Sequence, residues 1–179
     1  LALCGTGLIF LSTQIGFKVL SDETNLLSVA NMLTIFGKAS NTEMWQYYYH
    51  NYHALDVSVP SRPILFPVFV SLVQMMVGLK WWAPFVVNFL SLWILFSLVI
   101  VWAEKFVPSK LLPKSSCTLV LLMSPVLSIA ATSAGYDLVS LTVGFACFLL
   151  LLEYEAKGDS QTLESLLYGL ICFSSVRYE

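Results

Sequence analysis

Six apolar runs divide the chain: Leu1–Leu20, Ile64–Leu79, Pro84–Ala103, Cys117–Ala134, Leu138–Leu152 and Thr162–Val176. A helix crosses a bilayer with roughly 17–25 residues, which predicts spans near 1–20, 84–103, 117–134, 135–154 and 161–177. The fourth reaches that length when Gly135–Asp137 and Glu153-Tyr154 cap its ends. Ile64–Leu79 is short, follows Pro60-Ser61-Arg62-Pro63 and carries Pro67 near its start. It reads as a juxtamembrane helix that does not cross.

The polar stretch Ser21–Pro63 has a pattern of its own. Leu26, Leu27, Val29, Ala30, Leu33 and Phe36 recur at nearly helical spacing, and Gly37 follows as a natural stop. Asp22–Phe36 is therefore expected to be an amphipathic helix lying in the membrane interface. An aromatic cluster, Trp45-Gln46-Tyr47-Tyr48-Tyr49-His50-Asn51-Tyr52-His53, comes next. It fits either an interfacial aromatic belt or a wall for stacking a sugar or a prenyl chain. His50 and His53, at i and i+3, could share a metal if that segment were helical.

Composition supports the membrane reading. The chain is 58% hydrophobic and 11% charged, against about 25% charged in ordinary globular proteins. The expected fold is all-α, a polytopic transmembrane helical bundle, because backbone in lipid must satisfy its own hydrogen bonds. A net charge of −2 gives no reason to expect a nucleic-acid partner, and membrane lipids surround the spans. Cys4, Cys117, Cys147 and Cys172 lie in or beside apolar runs with no ligand spacing, and read as small buried hydrophobes. The start at Leu1, already inside an apolar run, suggests the N-terminal part of one larger membrane domain. No Gly-rich phosphate loop, nucleophile elbow, zinc signature or internal repeat occurs.

Charge decides how the spans are oriented. With five crossings, the connection holding Lys105, Lys110 and Lys114 faces the cytoplasm, as positive residues prefer. Asp22, Arg62, Asp137 and Arg177 then converge on the outer face. Asp22 and Glu23 sit at the edge of the first span, where carboxylates are costly and ask for a reason. One reason is structural: Ser21 caps a helix and the two acids complement its dipole. The other is catalysis on a lipid-borne substrate. Arg62 and Arg177 could equally be interfacial anchors, and Asp137 a helix cap.

The order of these motifs resembles the opening of GT-C glycosyltransferases, closest to the family 39 group of protein O-mannosyltransferases and the lipid A aminoarabinose transferase. Asp22-Glu23 followed by Leu27, Ala30, Leu33 and Gly37 is similar to that group's "DE…A…L…G" element. Arg62-Pro63-Ile64-Leu65-Phe66-Pro67 resembles "K/R-P-P-L-Y-P", with Ile64 in place of the second proline. Ser124-Pro125 before Asp137 resembles "SP…D", and Arg177-Tyr178 resembles the closing "R/K-Y". The resemblance implies an inverting membrane enzyme that moves a sugar from a polyprenyl-phosphate donor to an extracytoplasmic acceptor, whether protein, lipid or glycan. It implies Asp22 as general base with Glu23 in support. Arg62 and Arg177 become donor-phosphate ligands, and Asp137 and Tyr178 orient the substrate. A divalent metal held by Asp22 and Asp137 is an open option. The bacterial inner membrane is the expected location, or the endoplasmic reticulum in a eukaryote. The N-terminal part alone is expected to be inactive. A scaffold subunit predicts the same spans without needing Asp22. A transporter predicts ionisable or broken-helix elements at mid-membrane, where these spans are nearly free of charge.

Overall fold

The computed structural model of the chain describes residues 1–48, 51–60, 62–106 and 114–176. They form a mostly helical structure of eight helices and one two-stranded hairpin. Among the described residues, two helices are long and apolar enough to cross a membrane: α4, Ala83–Phe106, and α7, Asp137–Lys157. At 1.5 Å per residue they extend about 36 and 32 Å. Both carry large apolar side chains on outward faces, among them Trp93, Ile94, Val101, Leu141 and Phe148.

The first apolar run is helical only over Ala2–Ser12 (α1); Thr13 is already extended. Gln14 and Gly16 interrupt the pattern, and the Gly16 amide donates instead to the Thr132 carbonyl at 3.2 Å. Helix α2, Leu20–Phe36, ends at Gly37 in the left-handed conformation (φ 65°) that glycine adopts without cost. Its cap position is Val19, so Ser21 lies inside the first turn rather than at the expected cap position.

The described part of the aromatic segment is extended, a small strand element in an otherwise helical structure. Strands β1, Asn41–Tyr48, and β2, Asn51–Ser58, pair antiparallel with Trp45 opposite Ala54 and Tyr47 opposite Tyr52. Aromatic residues favour extended backbone, and β1 docks on α2 through Ser28. The Ser28 hydroxyl donates to the Thr42 carbonyl (2.7 Å) and accepts from the Thr42 amide (3.1 Å).

Helix α3, Leu65–Val77, begins with Pro67 in its first turn and stops at Gly78. It meets α2 through a polar layer. Thr34 Oγ1 lies 2.9 Å from Gln74 Oε1 and 3.2 Å from Ser71 Oγ, and Gln74 Nε2 donates to Asn31 Oδ1 at 2.8 Å. The run expected near 117–134 is two helices, α5, Lys114–Leu122, and α6, Pro125–Ala131. Ser124 caps α6 by accepting from the Leu127 amide, and Pro125 occupies the first turn, where its missing N–H costs nothing. Helix α8, Ser160–Val176, follows α7 after Gly158. The Thr162 amide bonds Asp159 at its start, and the Thr162 side chain, helped by that amide, holds the carboxyl below the usual carboxylate range.

Side-chain contacts fix the helix directions. Phe10 stacks edge-on against Phe89, and Gly5 faces Phe96, so α1 and α4 are antiparallel. Asn88 reaches the backbone before α7, Thr142 bonds the Ser91 carbonyl, and Lys105 meets Glu153. Hence α4 and α7 are parallel, with their N-termini at one end of the bundle. Helix α8 runs back along α7 through close small-residue contacts: Gly144 under Phe173 and Gly169 over Cys147. Two buried clusters result, one around Ile9, Leu92, Phe96 and Leu138, the other around Leu26, Phe66, Val139 and Val176.

Candidate functional site

At the end where α4 and α7 begin, a cavity of about 330 Å³ opens between the start of α2, helix α6 and the loop entering α7. Asp22, Glu23 and Asp137 all line it, together with Lys18, Ser133 and Tyr136. Leu26, Val126, Ile129 and Ala130 give it an apolar wall. Its size is in the range of small-molecule sites, and its mixture of a few polar groups on an apolar lining is typical of them.

The two adjacent acids are used differently. Glu23 is 3% exposed. Its Oε2 accepts from the Lys18 amide at 2.7 Å, and its Oε1 from the Ala134 amide at 3.3 Å. One carboxylate thus brackets two loops, one five residues before it and the other 111 residues after it in sequence. Charge-assisted bonds to backbone N–H groups are what make such burial tolerable. Asp22, one residue earlier, turns to Arg62. A single guanidinium nitrogen, Nη2, donates to Oδ1 at 3.0 Å and Oδ2 at 3.1 Å. Both side chains remain partly open to solvent, 32% for Arg62 and 41% for Asp22.

Asp137 is the first residue of α7 and is exposed. The loop before it is held from a second side by Asn88, fully buried on α4. Asn88 Nδ2 donates to the carbonyls of Ser133 (2.7 Å) and Gly135 (3.1 Å). Sequence reading passed over Asn88, although an isolated amide in an apolar span was a usable signal. Tyr136 and Lys18 were likewise not anticipated as lining residues.

The structure therefore brings Asp22, Glu23, Arg62 and Asp137 to one end of the bundle. Arg177 and Tyr178 lie outside the described residues, although α8 returns to this end, where Val176 packs with Leu26 and Val139. His50 is also outside them. His53 is exposed on strand β2, and any pairing with His50 for a metal lies outside the described residues. Among the described residues no group of three His, Cys, Asp or Glu side chains is placed to hold a metal ion. Asp22 gives both oxygens to Arg62 and Glu23 gives both to amides. Comparison with protein-family models, with curated proteins and with solved structures found no match to this chain.

Proposed function

We propose that the protein is a membrane glycosyltransferase that moves a sugar from a polyprenyl-phosphate donor to an extracytoplasmic acceptor with inversion. The observation that supports this most is the cavity itself. It joins Asp22 and Asp137, far apart in sequence, beside an apolar wall, with Arg62 attached to Asp22. A substrate with a polar head and a lipid tail matches such a lining.

In this reading the bundle crosses the membrane five times, through α1, α4, the α5–α6 pair, α7 and α8. Helix α3 stays on the outer side. Arg62, just before it, pairs with Asp22, and Gly78, just after it, leads into the start of α4. Both ends of α3 therefore lie at the cavity end. The opposite end carries Lys105, Lys114 and Lys157, which suits the cytoplasmic face.

The chemistry follows from the residue types. The acceptor hydroxyl attacks the anomeric carbon while Asp22 takes its proton as general base. The bond from that carbon to the phosphate oxygen breaks with inversion, and the electron pair leaves with the phosphate. Arg62 and Arg177 hold the developing negative charge, which a guanidinium binds in a fork. Asp137 orients a sugar or acceptor hydroxyl, and Glu23 fixes the cavity floor. No step is routed through a metal.

The test is transfer itself. The full-length protein in liposomes is given polyprenyl-phosphate mannose or aminoarabinose labelled in the sugar, with protein, lipid and glycan acceptors. Label should appear on one acceptor class with the anomeric configuration opposite to the donor's. Product with retained configuration, or label remaining on the polyprenyl phosphate throughout, contradicts the reading.

A further inference from the structure

The group assigned to the donor phosphate and the group assigned as base are holding each other. Arg62 Nη2 reaches both Asp22 oxygens; Asp22 lines the cavity, Arg62 holds it from outside that lining, and both side chains are partly open to solvent. A carboxylate and a phosphate offer a guanidinium nearly the same partner: two anionic oxygens at hydrogen-bonding distance. They therefore compete for one site. The neighbouring carboxylate takes no part in that competition, because Glu23 is buried and fully engaged with backbone amides.

We propose that the Asp22–Arg62 pair is a latch opened by the donor: the arriving phosphate displaces Asp22 from Arg62 and thereby frees the carboxylate to act on the acceptor. The inference rests on the roles given above to Arg62 and Asp22. Only hydrogen bonds are exchanged; no covalent bond changes. The geometry supports an exchange rather than a fixed scaffold contact, since a partly exposed ion pair contributes little and separates readily. Its consequence is order. With no donor bound, Asp22 is occupied by Arg62; once the phosphate is seated, base and charge-binding group are delivered together. Acceptor is then activated only when there is a sugar to receive.

Competition predicts an unusual sign. Removing the carboxylate should strengthen donor-phosphate binding, because Arg62 no longer has to be released first. The experiment is a binding titration of a polyprenyl monophosphate to the full-length protein in nanodiscs of zwitterionic lipid. Asp22→Asn, with Asp22→Ser as a second carboxylate-free variant, should tighten binding about two- to fivefold, the scale of an exposed pair. Arg62→Gln should weaken it by roughly tenfold, as expected for loss of a charged hydrogen bond. In the Asp22→Asn, Arg62→Gln double variant the tightening should vanish, since the coupling runs through Arg62. If Arg62→Gln weakens binding but neither Asp22 variant tightens it, the latch is overturned and the phosphate role of Arg62 stands. Tightening that persists undiminished in the double variant means simple charge repulsion, and also overturns the latch. If Arg62→Gln binds as well as the wild type, the phosphate role itself fails, and the latch with it.

Discussion

Replacing Glu23 separates a residue that builds the cavity from one that works in it. Its carboxylate is 3% exposed and accepts from the Lys18 amide at 2.7 Å and the Ala134 amide at 3.3 Å. Hydrogen bonds to charged groups contribute about 1.5–3 kcal/mol each, and a buried donor left without an acceptor costs about 1–3 kcal/mol. Glu23→Gln keeps one acceptor oxygen and turns an NH₂ toward an amide N–H, a loss of about 2 kcal/mol by that reckoning. Glu23→Ala strands both amides, for about 4 kcal/mol. The expected pattern is thus a graded fall in thermal stability of the full-length protein in nanodiscs, with alanine about twice as costly as glutamine. Ser133, buried beside the bracket, supplies a local probe: a cysteine there should be protected in wild type and reactive in Glu23→Ala. A glutamine variant as stable as wild type but without turnover would refute the bracket. It would make Glu23 a group that acts on substrate.

Other consequences are open to simpler assays. A Cβ at Gly169 would lie 3.0 Å from Cys147 Sγ, and one at Gly144 3.0 Å from the Phe173 ring, whereas Gly7 has nothing within 4 Å. Alanine at Gly144 or Gly169 should lower the melting temperature in spite of a helix-propensity gain of roughly 1 kcal/mol, while Gly7→Ala should raise it. Thermal unfolding of the three single variants checks that order. With the four native cysteines replaced by serine, an impermeant thiol reagent should label Ser58→Cys and Lys80→Cys from one side of the membrane and Ser160→Cys from the other. Opposite-side labelling of Ser58→Cys and Lys80→Cys would mean that α3 crosses.

Elements governed by local pattern were legible in the sequence. The spacing of Leu26, Val29, Ala30 and Leu33 marked α2, and Gly37 marked its end, because helix periodicity and a left-handed stop are properties of neighbouring residues. The hairpin was missed although its signal was present. Trp45, Tyr47, Tyr48 and Tyr52 favour extended backbone, and their aromatic character drew attention to the membrane interface instead. The break between α5 and α6 was written in Ser124-Pro125, a helix start inside what hydropathy alone reads as one run. For the site, sequence could nominate Asp22, Glu23, Arg62 and Asp137. It could not apportion work between the two adjacent acids. The partners of Glu23 are backbone amides, one of them at Ala134, and a backbone partner leaves no trace in residue identity. Asn88 stood out as an isolated amide in an apolar span, but what it holds did not, since both its acceptors are main-chain carbonyls.

Asp22 carries the central claim, and its replacement by asparagine tests that claim most directly. Asparagine keeps the shape and one acceptor oxygen but cannot take a proton from an acceptor hydroxyl. Turnover of a polyprenyl-phosphate sugar by full-length Asp22→Asn, measured beside wild type at equal expression and membrane insertion, should fall by about two to four orders of magnitude, the usual contribution of a general base. Turnover within a few-fold of wild type would contradict the account and leave Asp22 and Arg62 as a structural ion pair in a non-catalytic membrane subunit.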